Sequence, residues 1–497
     1  MADTILPLER PSDLPSGSGL SQISGSWRDI AQTAARTLGL GKLVHSDTSQ
    51  NAMKQLMDGC INGPGGDVSQ RMRTADLGRT YLDLNTQGRQ GFLTCLAQDF
   101  SPDEGKLRQS VDNYLNATSD AERVVAANKL HKSSTPERLK LLTQFNALPN
   151  GVKFLVDMRT DLLAFKGKDP YLQALDSDLQ QLLSSWFDIG FLDFVEMTWR
   201  TPAALLEKLI TYEAVHQITS WDDLRNRLDS DRRCYALFHP RMPDEPLAFV
   251  EVALVKGLAD NVQDILDTTA PLGDPRDADT AIFYSITNTQ TGLRGISFGE
   301  HLIKKVVPHL SKELPRVQNF STLSPVPGFR KWFEGLDSSV IEDAITREEL
   351  KALRQLTDQE EAKDAILFCI HQDNWFENTE LTELLHGPLL RLCTAYFLEK
   401  DPRGRALDPV ARFHLKNGAE LHQLNWMGDI SDKGISQAVG IMVNYKYDLS
   451  KIEQNHEQFM NDGIVAMGSQ VKGYLKQLRG SLAQESTLQK IRKTIAG

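Results

Sequence analysis

Apolar residues in the first part of the chain recur at helical spacing. Thr135-Pro136-Glu137 reads as an N-cap, a proline at the first helical position and an acid in the first turn. Leu139, Leu142, Phe145 and Leu148 then follow at intervals of three. Ser119 and Glu122 make a capping-box pattern ahead of Val124 and Val125. Phe154, Leu155, Met158, Leu162 and Leu163 form a further stripe, and Asn150-Gly151 and Gly167 punctuate these segments. From about residue 48 to 200 the spacing predicts helices and no strand. Residues 1–25, rich in Pro, Ser and Gly, are expected to be mobile. Residues 26–195 then form a helical packing or oligomerisation domain, and 196–497 a second domain.

The pattern changes after about 200. Cys234–Phe238, Leu247–Val255 and Ala281–Ile286 are runs rich in β-branched and aromatic residues and read as strands. Pro243-Asp244-Glu245-Pro246 is the expected turn between the first two. A helix is expected over Trp221–Leu228, and a fourth strand near Val317–Leu323. Between the last two strands, Gln290–Gly299 leads into an amphipathic helix with Leu302, Ile303, Val306, Val307 and Leu310 on one face. Helices return over 340–400, with one more near 467–490. Antiparallel strands, a glycine-bearing loop and a helix in this order resemble the acyl-CoA-binding core of the GNAT acetyltransferase superfamily. A helix start points unpaired N–H groups and a dipole at a pyrophosphate, and glycines let that ligand approach the backbone. Taken alone, the loop is equally a strand–turn–helix whose glycines only serve the turn. The expected fold is α+β: an N-terminal all-helical domain, then a GNAT-like mixed, mostly antiparallel sheet flanked by helices.

Charge narrows the function. The 497 residues carry a net charge of −11, which argues against nucleic-acid binding but leaves room for a local basic pocket. The five cysteines are scattered and form no CxxC pair, and the eleven histidines form no HExxH or HxH, so no metal site is expected. GxxxxGK[ST] and GxSxG are absent. No apolar run approaches the roughly 20 residues of a membrane span. Neither a secretory signal nor an SKL ending is seen, which makes cytoplasm the expected compartment.

Four stretches together are more specific. They are Gly292–Lys304 (GLRGISFGEHLIK), Phe320–Phe329 (FSTLSPVPGF), His386–Cys393 (HGPLLRLC) and Asp408–Ala419 (DPVARFHLKNGA). The last continues into Asn425-Trp426-Met427 and Asn444-Tyr445-Lys446-Tyr447. This set resembles the malonyl-CoA decarboxylase family over about 195 to 447, and the helical first part resembles that family's N-terminal domain in size and position. The resemblance implies conversion of malonyl-CoA to acetyl-CoA and CO2 in fatty-acid or malonate metabolism, with no metal or organic cofactor. It implies a homo-oligomer, a tetramer. It further implies a catalytic pair, Ser324 and His414, and substrate-binding roles for Ser285, Tyr447 and the loop of Arg294, Gly295, Ile296, Ser297, Phe298, Gly299 and Glu300. Animal members carry a glutamate where this chain has Ser297, so no role of that acid carries over; Ser297 can still donate a hydrogen bond.

The implied reaction moves the electrons of the broken carbon–carbon bond into the thioester carbonyl. It needs the carboxylate held out of the thioester plane, donors to the enolate oxygen, and a proton for the α-carbon. An imidazole titrating near operating pH is the expected proton donor, which points to His414. Ser324 can orient the carboxylate or the histidine, its loop restricted by Pro325 and Pro327. Tyr447 and Ser285 can add hydrogen bonds. Each also has an ordinary explanation: a structural histidine, a turn serine, a tyrosine anchored in the core. Two rival functions share the fold, an acetyl-CoA-dependent N-acyltransferase and an acyl-CoA sensor without turnover.

Overall fold

The computed structural model describes residues 47–296 and 298–478. The segment 1–25, Ser297 and the part of the last expected helix beyond 478 lie outside the described residues. The chain divides into two compact units. Up to Trp186 it forms the first, together with Thr291–Ile296; Phe187–Gln290 and the chain from 298 onward form the second.

The first unit contains α1 (Asp47–Asn62), α2 (Asp67–Asp83), α3 (Thr86–Asp99), α4 (Glu104–Leu115), α5 (Asp120–Ser134), α6 (Arg138–Asn146), α7 (Gly151–Phe165) and α8 (Pro170–Trp186). Leu142, Phe145, Leu155, Met158 and Leu162 are fully buried, as their spacing predicts. Burying each such side chain contributes roughly 1.5–3 kcal/mol. Ser119 caps α5 by accepting from the Glu122 N–H, yet Val124 and Val125 point to solvent. Thr135 does not begin α6. Its hydroxyl donates to the His131 carbonyl at the end of α5, and α6 starts three residues later because a local side-chain bond competes with the cap.

One feature of this unit lies far along the sequence. Arg159 of α7 is buried and donates to Asp176 of α8 at 2.8 Å. It also donates to the carbonyls of Gly292 at 2.8 Å and Arg294 at 2.9 Å. A guanidinium supplies several donors in a fixed fork, so one side chain satisfies a carboxylate and two orphan carbonyls together. Gly295 sits at φ +91° with Gln180 against it, and a Cβ there would stand 2.6 Å from the Gln180 amide nitrogen. The backbone conformation favours glycine, and any side chain there would push the Gln180 amide aside.

The second unit opens with β1 (Asp193–Met197), α9 (Ala203–Tyr212), α10 (Trp221–Arg227), β2 (Arg232–His239) and β3 (Met242–Val255). There follow α11 (Val262–Leu266), β4 (Thr280–Asn288), α12 (Gly299–Glu313), β5 (Asn319–Thr322) and β6 (Ser324–Pro325). Helices α13 (Phe329–Glu334), α14 (Ser338–Glu342), α15 (Arg347–Thr357), α16 (Ala362–Ile370) and α17 (Thr379–Tyr396) come next. The described part closes with α18 (Pro409–Lys416), β7 (Glu420–Asn425), α19 (Asp432–Ala438), β8 (Met442–Lys446), α20 (Ile452–Glu457) and α21 (Ser469–Gln477). The sheet runs β1-β2-β3-β4-β5-β8-β6, with β7 on β8. Only β4–β5 is parallel among the pairings described; the rest are antiparallel. This is the mixed, mostly antiparallel sheet with flanking helices that the sequence predicts.

Two readings need correction. Pro243–Pro246 is part of β3, not the turn. The hairpin closes at His239 opposite Met242, through register shifts at Leu237/Phe238 and Phe238/His239, because bulges absorb residues that pattern counting assigns to a loop. Second, β1 is a strand inside the span read as helical. It pairs antiparallel with β2 through register Asp193↔Phe238 to Met197↔Cys234. Its residues are mostly exposed, so no apolar alternation announces it.

The sheet opens where β4 meets β5. Their pairing ends at Phe283↔Thr322, and β4 carries an extra residue, Tyr284, opposite the Glu251/Val252 step of β3. A bulge of this kind bends a strand and ends pairing. Both predicted serines, Ser285 on β4 and Ser324 on β6, lie just beyond that point.

Candidate functional site

Ser324 begins β6 and pairs with Val443 of β8. The Leu323 N–H donates to the Phe283 carbonyl at 3.0 Å, which ties the approach to Ser324 to the opening of the sheet. His414 lies on α18. Asp408 caps that helix by accepting from the Ala411 N–H at 2.7 Å, with Pro409 at its first position. Burial pushes the Asp408 carboxyl up to about 6. Tyr447 follows β8 directly, its N–H donating to the Phe320 carbonyl at 2.8 Å.

These three residues, far apart in sequence, meet in the buried interior. The His414 ring places Nδ1 2.7 Å from the Tyr447 hydroxyl and Nε2 3.4 Å from Ser324 Oγ. Ser324 Oγ also donates to Thr322 Oγ1 at 2.9 Å. The imidazole stacks on Tyr445, centroids 4.5 Å apart and planes 22° from parallel. Burial lowers the His414 pKa to about 3. Burial, and then the Glu300 carboxylate, raises that of the Tyr447 hydroxyl well above its ordinary value. The ring is therefore uncharged at neutral pH and the tyrosine protonated. This corrects the expectation of an imidazole titrating near operating pH: without water around it, the cationic form loses its solvation.

The other predicted residues fall elsewhere. The Ser285 hydroxyl is buried and donates to the Glu213 carboxylate at 2.7–2.8 Å. Thr287 donates to the same group at 3.3 Å, and the N–H groups of Val215 and His216 at 2.7 and 2.8 Å. Ser285 is thus engaged with Glu213, not with the histidine. Arg294, Gly295 and Ile296 belong to the first unit, where Arg159 holds the carbonyls of Gly292 and Arg294. Phe298 is buried against Phe187, centroids 6.1 Å apart. Gly299 begins α12 against the Phe413 ring, beside His414. Glu300 pairs with Lys304 at 2.8 Å; burial would raise its pKa, but Lys304 and Lys416 outweigh that and lower it. Among the described residues, Phe298 at the N-cap of α12 makes no side-chain capping hydrogen bond.

Sequence reasoning passed over the supports of the set. Thr322 Oγ1 accepts from Ser324 and from the Tyr445 N–H at 3.2 Å. Asn444 donates to the carbonyls of Thr322 at 2.7 Å and Ala259 at 3.0 Å, and accepts from Asn425 at 2.8 Å. Thr322, Asn425, Asn444 and Tyr445 all stand inside the stretches singled out above, which is the one signal that could have found them. Glu213 stands in no such stretch. Among the described residues, no group of three His, Cys, Asp or Glu side chains is arranged to hold a metal.

A helical unit followed by a mixed sheet, with an imidazole buried between two hydroxyls, is the architecture of an α+β enzyme. Comparison with known proteins makes the class specific. Residues 190–485 match the model of the malonyl-CoA decarboxylase C-terminal domain, and residues 100–187 that of the N-terminal domain. The chain is 36% identical over 424 residues to the mitochondrial malonyl-CoA decarboxylase of Anser anser anser, covering 82% of this chain and 84% of that protein. It is 34% identical over 401 residues to the Mus musculus protein of the same name, covering 78% and 81%. The crystal structure of malonyl-CoA decarboxylase from Rhodopseudomonas palustris superposes with a TM-score of 0.76 at 41% identity, over 85% of this chain and 99% of that one. That from Agrobacterium vitis gives 0.75 at 39%, with the same coverage. The chain belongs to the malonyl-CoA decarboxylase family, and is thereby a carboxy-lyase.

Proposed function

We propose that this chain converts malonyl-CoA to acetyl-CoA and CO2 through an uncharged proton relay of Tyr447, His414 and Ser324. The observation that carries the reading is the buried imidazole bridging two hydroxyls, at 2.7 and 3.4 Å. As CO2 departs, the electron pair of the broken bond stays with the thioester as an enolate. The α-carbon then takes one proton. With the Tyr447 hydroxyl donating to Nδ1, the single ring proton sits on Nε2 and faces Ser324. The Ser324 hydroxyl is a rotor; it turns from Thr322 to the substrate and gives up its proton. Nε2–H replaces it, Tyr447 refills Nδ1, and solvent restores Tyr447; once acetyl-CoA has left, a solvent proton returns to Nε2 through Ser324 while Nδ1 releases its own through Tyr447, which resets the ring tautomer. An imidazole that accepts at one nitrogen while releasing at the other suits this role without ever becoming a stable cation. The first turn of α12, where Phe298 at the N-cap makes no side-chain capping hydrogen bond, suits the pyrophosphate of the coenzyme.

A homotetrameric assembly, a cytoplasmic location and a role in fatty-acid or malonate metabolism belong to this proposal; the curated relatives carry "mitochondrial" in their names. Incubation of the purified chain with malonyl-CoA is the test. Release of CO2 and acetyl-CoA without an acceptor supports the proposal. Acyl transfer only in the presence of an amine supports an N-acyltransferase instead, and binding without turnover supports a sensor.

A further inference from the structure

Apart from the site above, the second unit holds a cavity of about 410 Å3 against the helix that carries His414. Lys400, Arg405, Arg412 and Lys416 line it, with one carboxylate, Glu399. Asp401 pairs with Arg405 at 2.7 Å and reaches Arg412 at 3.6 Å. Four positive charges thus face two negative ones, a local reversal of sign in a chain of net charge −11. Such a reversal concentrates anions.

Arg412 and Lys416 stand four residues apart on α18 and share a face; His414, between them, points the other way. Arg412 is held in place by donating to the Ala406 carbonyl at 2.7–2.9 Å. Lys416 also acts on the Glu300 carboxylate and lowers its pKa. Gly463, at φ +67°, faces Lys400, whose ammonium nitrogen lies 2.9 Å from the position a Cβ would take. The remaining wall includes Phe397, Phe459 and Met460. Arginine forks and lysine point charges around one hollow match a multiply charged oxyanion, and the aromatic wall matches an organic carrier.

We propose that this cavity binds the phosphate group of an organic phosphate ester. Two sources share that chemistry. One is the ribose 3′-phosphate of the coenzyme, a reading that rests on the function proposed above. The other is a free phosphorylated metabolite. Calorimetry on the full chain reads the site without turnover, so it stands even if decarboxylation fails. The probes are coenzyme A, 3′-dephospho-coenzyme A and inorganic pyrophosphate, each against wild type and the Lys400→Gln/Lys416→Gln double variant. The variant's melting temperature confirms the fold.

Should coenzyme A bind wild type about tenfold tighter than its dephospho form, with that gap closing in the double variant, the cavity holds the coenzyme's phosphate. Should pyrophosphate bind wild type in the presence of coenzyme A, and be lost in the variant while coenzyme A is unaffected, it holds a separate phosphate ester. Equal binding of every probe by both proteins overturns the proposal, as does equal weakening of coenzyme A and its dephospho form.

Discussion

Replacing Tyr447 by Phe removes one oxygen and keeps the ring. That oxygen lies 2.7 Å from His414 Nδ1, in a site where the histidine is 3% exposed and the tyrosine 4%. Nδ1 would be left buried without its partner, at a cost of about 1–3 kcal/mol. If the hydroxyl fixes the tautomer, the same energy no longer favours the proton on Nε2. At about 1.4 kcal/mol per tenfold, kcat should fall by roughly 5- to 150-fold, with KM for malonyl-CoA little changed. The assay is the steady-state rate of CO2 release, with circular dichroism confirming the fold. The kcat–pH profile of the wild type should show no break at 6.5, the ordinary histidine value, because burial holds His414 near 3. A variant kcat within about twofold of wild type would refute the relay. So would a wild-type break near 6.5 that vanishes in His414→Ala.

Ser324→Ala removes the hydroxyl next to Nε2 and should lower kcat by about a hundredfold while the protein stays folded, checked by single-turnover rate and melting temperature. Gly299→Ala places a Cβ 3.1 Å from the Phe413 ring and 3.3 Å from Ile286; the overpacking should cost about 1–3 kcal/mol in urea unfolding and slow turnover, since Phe413 adjoins His414. Arg159→Met strands Asp176 and the carbonyls of Gly292 and Arg294 in the interior, for a loss of about 3–5 kcal/mol, read as a lower urea midpoint. The folded pKa of His414 lies below its ordinary 6.5, so between 6.5 and 3 the unfolded chain binds the extra proton. Stability from this group is complete above 6.5 and falls by about 1.4 kcal/mol per pH unit toward 3. Unfolding free energies at pH 7 and 5 should therefore differ less in His414→Gln than in wild type.

The sequence announced elements whose residues all face one environment. β2, β3 and β4 are almost wholly buried, so their apolar runs stand out, and α12 shows five buried aliphatic side chains at helical spacing. β7 and β8 stayed hidden because they mix polar with apolar residues. Asn444, in the middle of β8, is fully buried and tolerated only because its amide is satisfied on both sides, which no pattern of hydrophobicity encodes. The pairing of Ser324 with His414 was legible through family resemblance alone, and Tyr447 was expected on the substrate rather than on the histidine. Nothing local in Arg412-Phe413-His414 points to a partner 90 positions earlier, and the depressed basicity of the ring depends on a burial that only the assembled sheet creates. The anchoring of Gly292 and Arg294 on Arg159 was equally out of reach, because a guanidinium and two distant carbonyls leave no periodic trace.

That anchoring has a bearing on how the polypeptide can be dissected. Between β4 and α12 the backbone leaves the second unit for six residues and returns, so the boundary near 187 is crossed more than once. A fragment cut to begin at 187 would keep these six residues while losing α7, whose arginine bonds the carbonyls of two of them, Gly292 and Arg294. Expressing the halves separately would therefore unclothe the segment that leads along the chain into α12, so a cut near 187 does not release two self-sufficient pieces.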